Sequence, residues 1–237
     1  AYEIRLSLVG SEMCIRDRSY GVSESMTLLV PHFAGGGAGE SFGETKLLKA
    51  VSRQMPPNTT KAQMQSQIAA LFYNGDQPFV GTAIYYGAIV CFLFFLGAFL
   101  VPGAIKWWLL LSGLFMITLA WGKNFFLNDL WYDYLPMFNK FRAVSMALGP
   151  GHLCVAALAA MGIQKLTDPD LPIDKKKRGL WVGLGTTILL CVIGMACASS
   201  SGPNDSALGD NAQLLAALKE DRASLLRADL IRSLLFV

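Results

Sequence analysis

The stretch KKKRGLWVGLGTTILLCVIGMACA, residues 175–198, places four basic residues directly before a run that contains no Asp, Glu, Lys or Arg. A helix needs about 20 apolar residues to cross roughly 30 Å of hydrocarbon. Because lipid offers the backbone no hydrogen-bond partners, such a run must pair its own N–H and C=O groups as a helix. The stretch therefore predicts a membrane span over 180–198.

Three further apolar runs predict spans over 79–101, 105–121 and 143–163. Within them only Lys106 is charged, and it lies at an edge where its side chain reaches the membrane surface. The chain is 16% charged and 53% hydrophobic, whereas soluble domains are about 25% charged. The last residues, 231–237, predict the start of a truncated fifth span. We expect an all-α, polytopic transmembrane helical bundle fragment.

The basic cluster fixes the expected orientation. Short loops rich in Lys and Arg stay in the cytoplasm, which places the loop 164–179 there. Because each span changes the side of the membrane, the segments 19–78, 123–142 and 200–230 are then expected on the extracytoplasmic side. The net charge of +3 is spread over several loops, so a nucleic-acid surface is not expected.

The outer segments contain helical patterns. Thr60 and Gln63 form a capping box that predicts the start of a short helix. Apolar residues at helical spacing predict one face of that helix and one face of a preceding helix, at Met64, Ile68 and Leu71 and at Leu47, Leu48, Val51 and Met55. Both short helices are predicted to lie on or near the membrane.

The tail repeats this pattern and leads into the fifth span. A leucine stripe is expected to oppose a charged face, with Leu214, Leu218, Leu225 and Leu226 on one side and Lys219, Glu220, Asp221 and Arg222 on the other.

Two local features have competing interpretations. The glycine-rich stretch 35–39 lacks the Lys-Ser/Thr pair of a phosphate loop, so a flexible turn is favoured. His152 lies within the third predicted span beside Pro150. A polar group at that depth indicates function, but a histidine that hydrogen-bonds a carbonyl freed by the proline is the favoured alternative.

The connector between the second and third spans, 121–146, is rich in chemistry. Rings at Trp121, Phe125, Phe126, Trp131, Tyr132, Tyr134, Phe138 and Phe141 alternate with charges. In one interpretation Lys140 and Arg142 hold an anionic phosphate while Asp129 or Asp133 orients or deprotonates a hydroxyl. The pattern alone favours the other, an aromatic belt with anchoring cations and helix-capping carboxylates.

Four stretches carry a family resemblance. They are SYGVSESMTLLVPHFAGG (19–36), GDQPFVGTAIYYGAIVCFLFFLGAF (75–99), WGKNFFLNDLWYDYLPMFNKFRAVSMAL (121–148) and LKEDRASLLRADLIRSLLF (218–236). In this order and spacing they resemble the YfhO family of bacterial membrane proteins, in its Bacteroidetes form. Residues 1–18 instead resemble a translated sequencing tag and are set aside.

The resemblance implies a GT-C-like glycosyltransferase in the bacterial cytoplasmic membrane. Such an enzyme transfers sugar from a polyprenyl-phosphate donor to an envelope glycopolymer. The implied roles are donor phosphate binding by Lys140 and Arg142, with Asp129 and Asp133 in support. The catalytic carboxylate of such enzymes lies in an outer loop upstream of residue 19, so this fragment is expected to be inactive, and a divalent metal in the intact parent stays open.

Two alternatives remain at this point. One is a transporter or flippase of lipid-linked intermediates, in which His152 relays protons or contacts substrate. The other is a non-enzymatic membrane scaffold. Pro150, Gly151 and His152 depart from the helix start expected of the family, which leaves a site role for that helix in doubt.

Overall fold

A computed structural model describes residues 18–37, 40, 42–43, 45–52, 60–75, 77, 84–136, 138, 143–199, 201–202, 205 and 211–237. Across these ranges all regular structure is helical, which confirms the predicted all-α class. The α-helices are α1 (Lys46–Ser52), α2 (Lys61–Phe72), α3 (Ala88–Leu100), α4 (Ala104–Trp121), α5 (Asn128–Tyr134), α6 (Leu148–Thr167), α7 (Ile173–Cys197) and α8 (Ala212–Phe236). Short 3₁₀ helices cover Ser23–Leu28, Gly122–Asn124 and Val144–Ala147.

The chain forms two compact units. Within the described residues, unit 1 comprises 18–25 and Ile89–Thr187, and unit 2 comprises Met26–Ala88 and Ile188–Val237. The tag-like residues before Arg18 lie outside the described part of the chain.

In the part of the chain that the structure describes, three helical segments are long and apolar enough to span a membrane. They are Ala104–Asn124, Val144–Thr167 and Ile173–Cys197, of 21, 24 and 25 residues. At 1.5 Å per residue each reaches about 30 Å or more. The helices predicted for the second, third and fourth spans are therefore present, and each has the length and apolar composition that crossing a membrane requires.

The first predicted span, 79–101, differs from the prediction. Its helix α3 has only 13 residues, or about 20 Å, which is too short to cross the hydrocarbon alone. Gly87 has φ of 110°, and the N–H groups of Tyr86 and Gly87 donate to the Leu28 carbonyl at 3.0 and 3.3 Å. Because these N–H groups are bonded to Leu28, they cannot donate to carbonyls of a longer helix, and α3 does not extend upstream of Ala88. Residues 79–83 lie outside the described ranges.

Two further boundaries, the start of α7 and the start of the predicted fifth span, also differ from the prediction. Helix α7 begins at Ile173, so the basic residues 175–178 lie in its first turns and not in a loop. Asp174 in the same turn offsets the unfavourable placement of cations at a helix N-terminus. At the end of the chain, the tail helix and the predicted start of a fifth span form one continuous helix, α8.

Glycines allow close helix contacts in unit 1. A Cβ on Gly97 of α3 would lie 2.3 Å from the Leu158 carbonyl oxygen of α6, and one on Gly162 of α6 would lie 2.8 Å from Gly97 Cα. Small residues let backbones approach in this way where lipid provides no hydrophobic drive between helices. Helix α7 also packs against α3, where Gly179 faces Leu100 and Gly183 faces Phe92.

Unit 2 has its own apolar core. Leu47, Leu48 and Val51 of α1 and Met64 and Ile68 of α2 are buried, as the helical spacing predicts. Thr60 caps α2 through the predicted capping box with Gln63. The apolar faces of α1 and α2 pack against each other and against Leu214 and Leu218 of α8. These apolar faces are therefore covered by other helices of unit 2, and the location of both helices on or near the membrane stays a prediction. Met55 lies outside the described residues.

The close contact of α3 with α6 gives a stability prediction. We expect Gly162→Ala to lower the free energy of unfolding by about 1–3 kcal/mol, because the new methyl group meets backbone atoms that cannot rotate away. The control is Gly149→Ala in the same helix, where a Cβ has nothing within 4 Å. Thermal unfolding in detergent measures both variants. Equal melting temperatures for the two would contradict the packing.

Candidate functional site

The connector between α4 and α6 is anchored in unit 1 by half of its aromatic residues. Phe138 is buried with Leu119 and Val144, and Trp131 and Tyr132 pack against this group. The ring of Trp131 meets that of Phe115 edge to face, with centroids 5.3 Å apart. The N-terminal segment adds further support, since Trp121 Nε1 donates to Ser25 Oγ at 2.6 Å.

Two other aromatic residues and two carboxylates of the connector are exposed. Phe126 and Tyr134 are 82% and 79% exposed, and the exposed carboxylates Asp129 and Asp133 lie one turn apart on α5. These four residues are called the α5 surface below. Asp129 also lies in the first turn of α5, where a carboxylate stabilises the helix dipole.

The remaining predicted site residues are Lys140, Arg142 and His152. Lys140 and Arg142, assigned to the donor phosphate, lie outside the described residues. His152 is exposed on the first turns of α6, so it does not lie in a buried polar cluster.

A second polar site lies in unit 2, where sequence reasoning expected only a solvated helix face. Asp221 and Arg222 of α8 are 6% and 3% exposed, so their assignment to the exposed side of a stripe is wrong. Asp221 accepts hydrogen bonds from the backbone N–H of Lys46 and of Leu47, at 3.1 and 2.7 Å. It thereby satisfies the N-terminus of α1, where a negative charge is stabilised by the helix dipole.

Arg222 performs the opposite task for α2. Its guanidinium donates to the backbone carbonyls of Leu71, Phe72 and Tyr73, the last of which is the C-cap of α2. Nη1 also donates to Asp205 at 2.7 Å. A cation stabilises a helix C-terminus, and these bonds occupy carbonyls that the helix itself leaves unpaired. Adjacent residues of α8 therefore cap opposite ends of two short helices.

His32 is held between two carboxylates. Its Nδ1 hydrogen-bonds Asp229 of α8, and its Nε2 lies 2.8 Å from Glu40 Oε2. Arg232 Nη1 donates to the other Asp229 oxygen at 2.9 Å. The hydrogen bond to Asp229 raises the pKa of His32 most; burial lowers the pKa but does not cancel the effect, and Glu40 raises it further. An imidazolium can donate from both ring nitrogens, which matches this arrangement.

Gly35 brings this cluster close to the end of α2. It has φ of +75°, and a Cβ there would lie 1.9 Å from the Phe72 carbonyl oxygen. Gly35, Gly36 and Gly37 are all buried, so the prediction of a flexible turn is wrong for this part of the stretch. Ala38 and Gly39 lie outside the described residues.

A cavity of about 290 Å³ borders the cluster within unit 2. His32, Arg222 and Arg227 line it with positive charge, and Asn74 and Ser199 add polar groups. This is the unit 2 cavity below.

Metal ligation is not evident at this cluster. Among the residues that the structure describes, no group of three or more His, Cys, Asp or Glu side chains is placed to hold a metal ion. The two nitrogens of His32 face two different carboxylates, so these groups do not converge on a common point.

Sequence reasoning missed His32 and its partners, although a signal was present. The chain has only two histidines, and His32 and Asp229 lie in two of the four stretches that carry the family resemblance. Their separation of 197 residues hides the pairing from any local pattern.

The His32 cluster makes the stability of unit 2 depend on pH. The pKa of His32 is raised above its ordinary 6.5, so its stabilising effect is complete below about pH 6.5 and is lost as pH rises through the folded-state pKa. We expect melting temperatures from pH 5.5 to 8.5 to fall on the alkaline side, by an amount that His32→Gln reduces. The control His152→Gln should keep the full pH dependence. An unchanged pH profile in His32→Gln would contradict the role of the cluster.

Known proteins give no direct guide to either site. The α5 surface and the unit 2 cavity are therefore interpreted from their own geometry. Comparison of the chain with family models, with curated proteins and with solved structures found no match.

Proposed function

We propose that the chain is part of a YfhO-like, GT-C-type membrane glycosyltransferase. The enzyme transfers a sugar from a polyprenyl-phosphate donor to an envelope glycopolymer at the outer face of the bacterial cytoplasmic membrane. The observation that carries the proposal is the α5 surface, which follows directly after the membrane-length segment Ala104–Asn124.

The α5 surface has the chemistry that a sugar requires. The rings of Phe126 and Tyr134 are almost fully exposed, and such rings offer flat apolar faces to the C–H faces of a pyranose. Carboxylates accept strong hydrogen bonds from hydroxyl groups, and Asp129 and Asp133 lie on the same side of α5. An exposed apolar and acidic surface beside a membrane span fits a lipid-linked sugar better than it fits lipid alone.

The donor phosphate needs cationic partners near this surface. Lys140 and Arg142 follow α5 within a few residues of the chain, and an arginine can bind a phosphate through two parallel hydrogen bonds. Their part in the proposal comes from the sequence and the resemblance. Asp129 and Asp133 orient the sugar or its acceptor hydroxyl, and the catalytic carboxylate belongs to an upstream loop.

The orientation of the chain belongs to the same proposal. The basic turns of α7 at 175–178 lie in the cytoplasm, and the α5 surface lies outside. The donor sugar is then presented at the outer headgroup level, where a polyprenyl phosphate is anchored.

Substitution in the full-length gene product tests this proposal. We expect Lys140→Ala with Arg142→Ala to lower glycosylation of the envelope polymer at least about tenfold, because the donor loses its charged contacts. Asp129→Asn with Asp133→Asn should lower it by a smaller factor. Mass spectrometry of the isolated polymer measures the modification, and immunoblots establish that each variant reaches the membrane.

The matched control is Asp170→Asn, which removes an exposed carboxylate far along the chain from α5. It should leave glycosylation unchanged. A transferase defect leaves the lipid-linked sugar accumulating at the outer face, whereas a flippase defect depletes it there. Normal glycosylation in the Lys140→Ala, Arg142→Ala variant, or depletion of the outer donor, would reject the proposal.

A further inference from the structure

Three basic side chains line the unit 2 cavity, and the carboxylates that pair with two of them are not part of its described lining. His32, Arg222 and Arg227 face it, whereas Asp205 and Asp229, which pair with Arg222 and His32, are absent from its described lining. None of the described residues that line the cavity is acidic. A partly enclosed space with this charge pattern favours an anionic ligand.

The hydrogen-bonding groups of the cavity restrict the chemical class of the ligand further. Both ring nitrogens of His32 and all three guanidinium nitrogens of Arg222 already have protein partners, so these residues contribute charge. Arg227 is exposed and forms no ion pair within the described part of the chain, so its donors remain for a ligand. A guanidinium matches the geometry of a phosphate.

A buried hydrogen-bond acceptor in the cavity is left for a donor group of the ligand. Asn74 Nδ2 donates to the Ser199 carbonyl, but Asn74 Oδ1 is buried and has no hydrogen-bond partner among the described residues. A buried acceptor without a partner destabilises the folded state. A ligand hydroxyl at this position would satisfy the acceptor.

The remaining lining is apolar, and one of its residues belongs to a helix of membrane length. Phe33, Met195, Leu226 and Leu230 line the cavity together with the polar groups. Met195 lies in the last turn of α7, which is long and apolar enough to cross a membrane. The volume of about 290 Å³ lies at the lower end of the roughly 300–1,000 Å³ typical of small-molecule sites. It therefore holds a headgroup and the beginning of a hydrocarbon chain, not a whole lipid.

We propose that the unit 2 cavity binds the hydroxyl-bearing phosphodiester headgroup of an anionic membrane lipid. Arg227 contacts the phosphate, His32 and Arg222 supply positive charge, and a headgroup hydroxyl donates to Asn74 Oδ1. This site uses residues other than those assigned to the sugar donor, and it does not depend on the proposed transferase activity.

Lipid binding to the purified full-length protein tests the proposal. Native mass spectrometry and thermal unfolding in detergent measure the response to phosphatidylglycerol, which has both the charge and the hydroxyls. Phosphatidylethanol keeps the charge without a hydroxyl, and phosphatidylcholine lacks the net charge. We expect binding to decrease in that order, with inorganic phosphate weaker than phosphatidylglycerol because it lacks the chain.

Matched variants locate the binding. Arg227→Gln should weaken phosphatidylglycerol binding about tenfold, the effect of one charge-assisted hydrogen bond. Lys219→Gln removes the same charge from α8 at a position that does not line the cavity, and it should bind as the unaltered protein does. Equal weakening by the two variants would overturn the proposed contact. Equal affinity for phosphatidylglycerol and phosphatidylcholine, or for inorganic phosphate, would overturn the lipid assignment.

Discussion

Unit 2 depends on one pair of neighbouring residues. Asp221 accepts from the first N–H groups of α1, and Arg222 donates to the last carbonyls of α2. Both side chains are buried, and a hydrogen bond to a charged group contributes about 1.5–3 kcal/mol. That is a large share of the roughly 5–15 kcal/mol that stabilises a folded domain. The caps also select orientation, because each charge fits only one end of a helix dipole.

The same helix organises the polar site. Residues three and four positions apart share a face of a helix, so the face that presents Arg222 also presents Leu226, Asp229 and Leu230. Docking of α8 by its caps therefore places Asp229 against His32 and lines the cavity with Leu226 and Leu230. Gly35 permits the close approach at the end of α2 that this arrangement requires.

Features that depend on residues close together in the sequence could be predicted, whereas contacts between residues far apart in the sequence could not. The capping box at Thr60 depends on residues three apart and was predicted correctly. The membrane-length helices α4, α6 and α7 could also be predicted. Because lipid offers the backbone no hydrogen-bond partners, a continuous apolar run is enough to indicate a helix. Asp221 and Arg222 look like a solvated face because their partners lie about 150 to 175 residues away. The start of α3 at Ala88, later than predicted, likewise depends on a distant carbonyl, that of Leu28. At the candidate site, the sequence singled out Asp129 and Asp133 as carboxylates that orient a hydroxyl or cap a helix, and the first of these roles stays a prediction. His32 was not predicted.

The most direct test exchanges the two capping residues, as Asp221→Arg with Arg222→Asp, which preserves composition and net charge. Hydrogen–deuterium exchange then reports on the amides of α1 and α2, with α4 of unit 1 as the internal reference. If opposite-end capping holds unit 2 together, exchange in α1 and α2 accelerates at least about tenfold while α4 is unchanged. Protection of α1 and α2 equal to that of the unaltered protein would contradict the account.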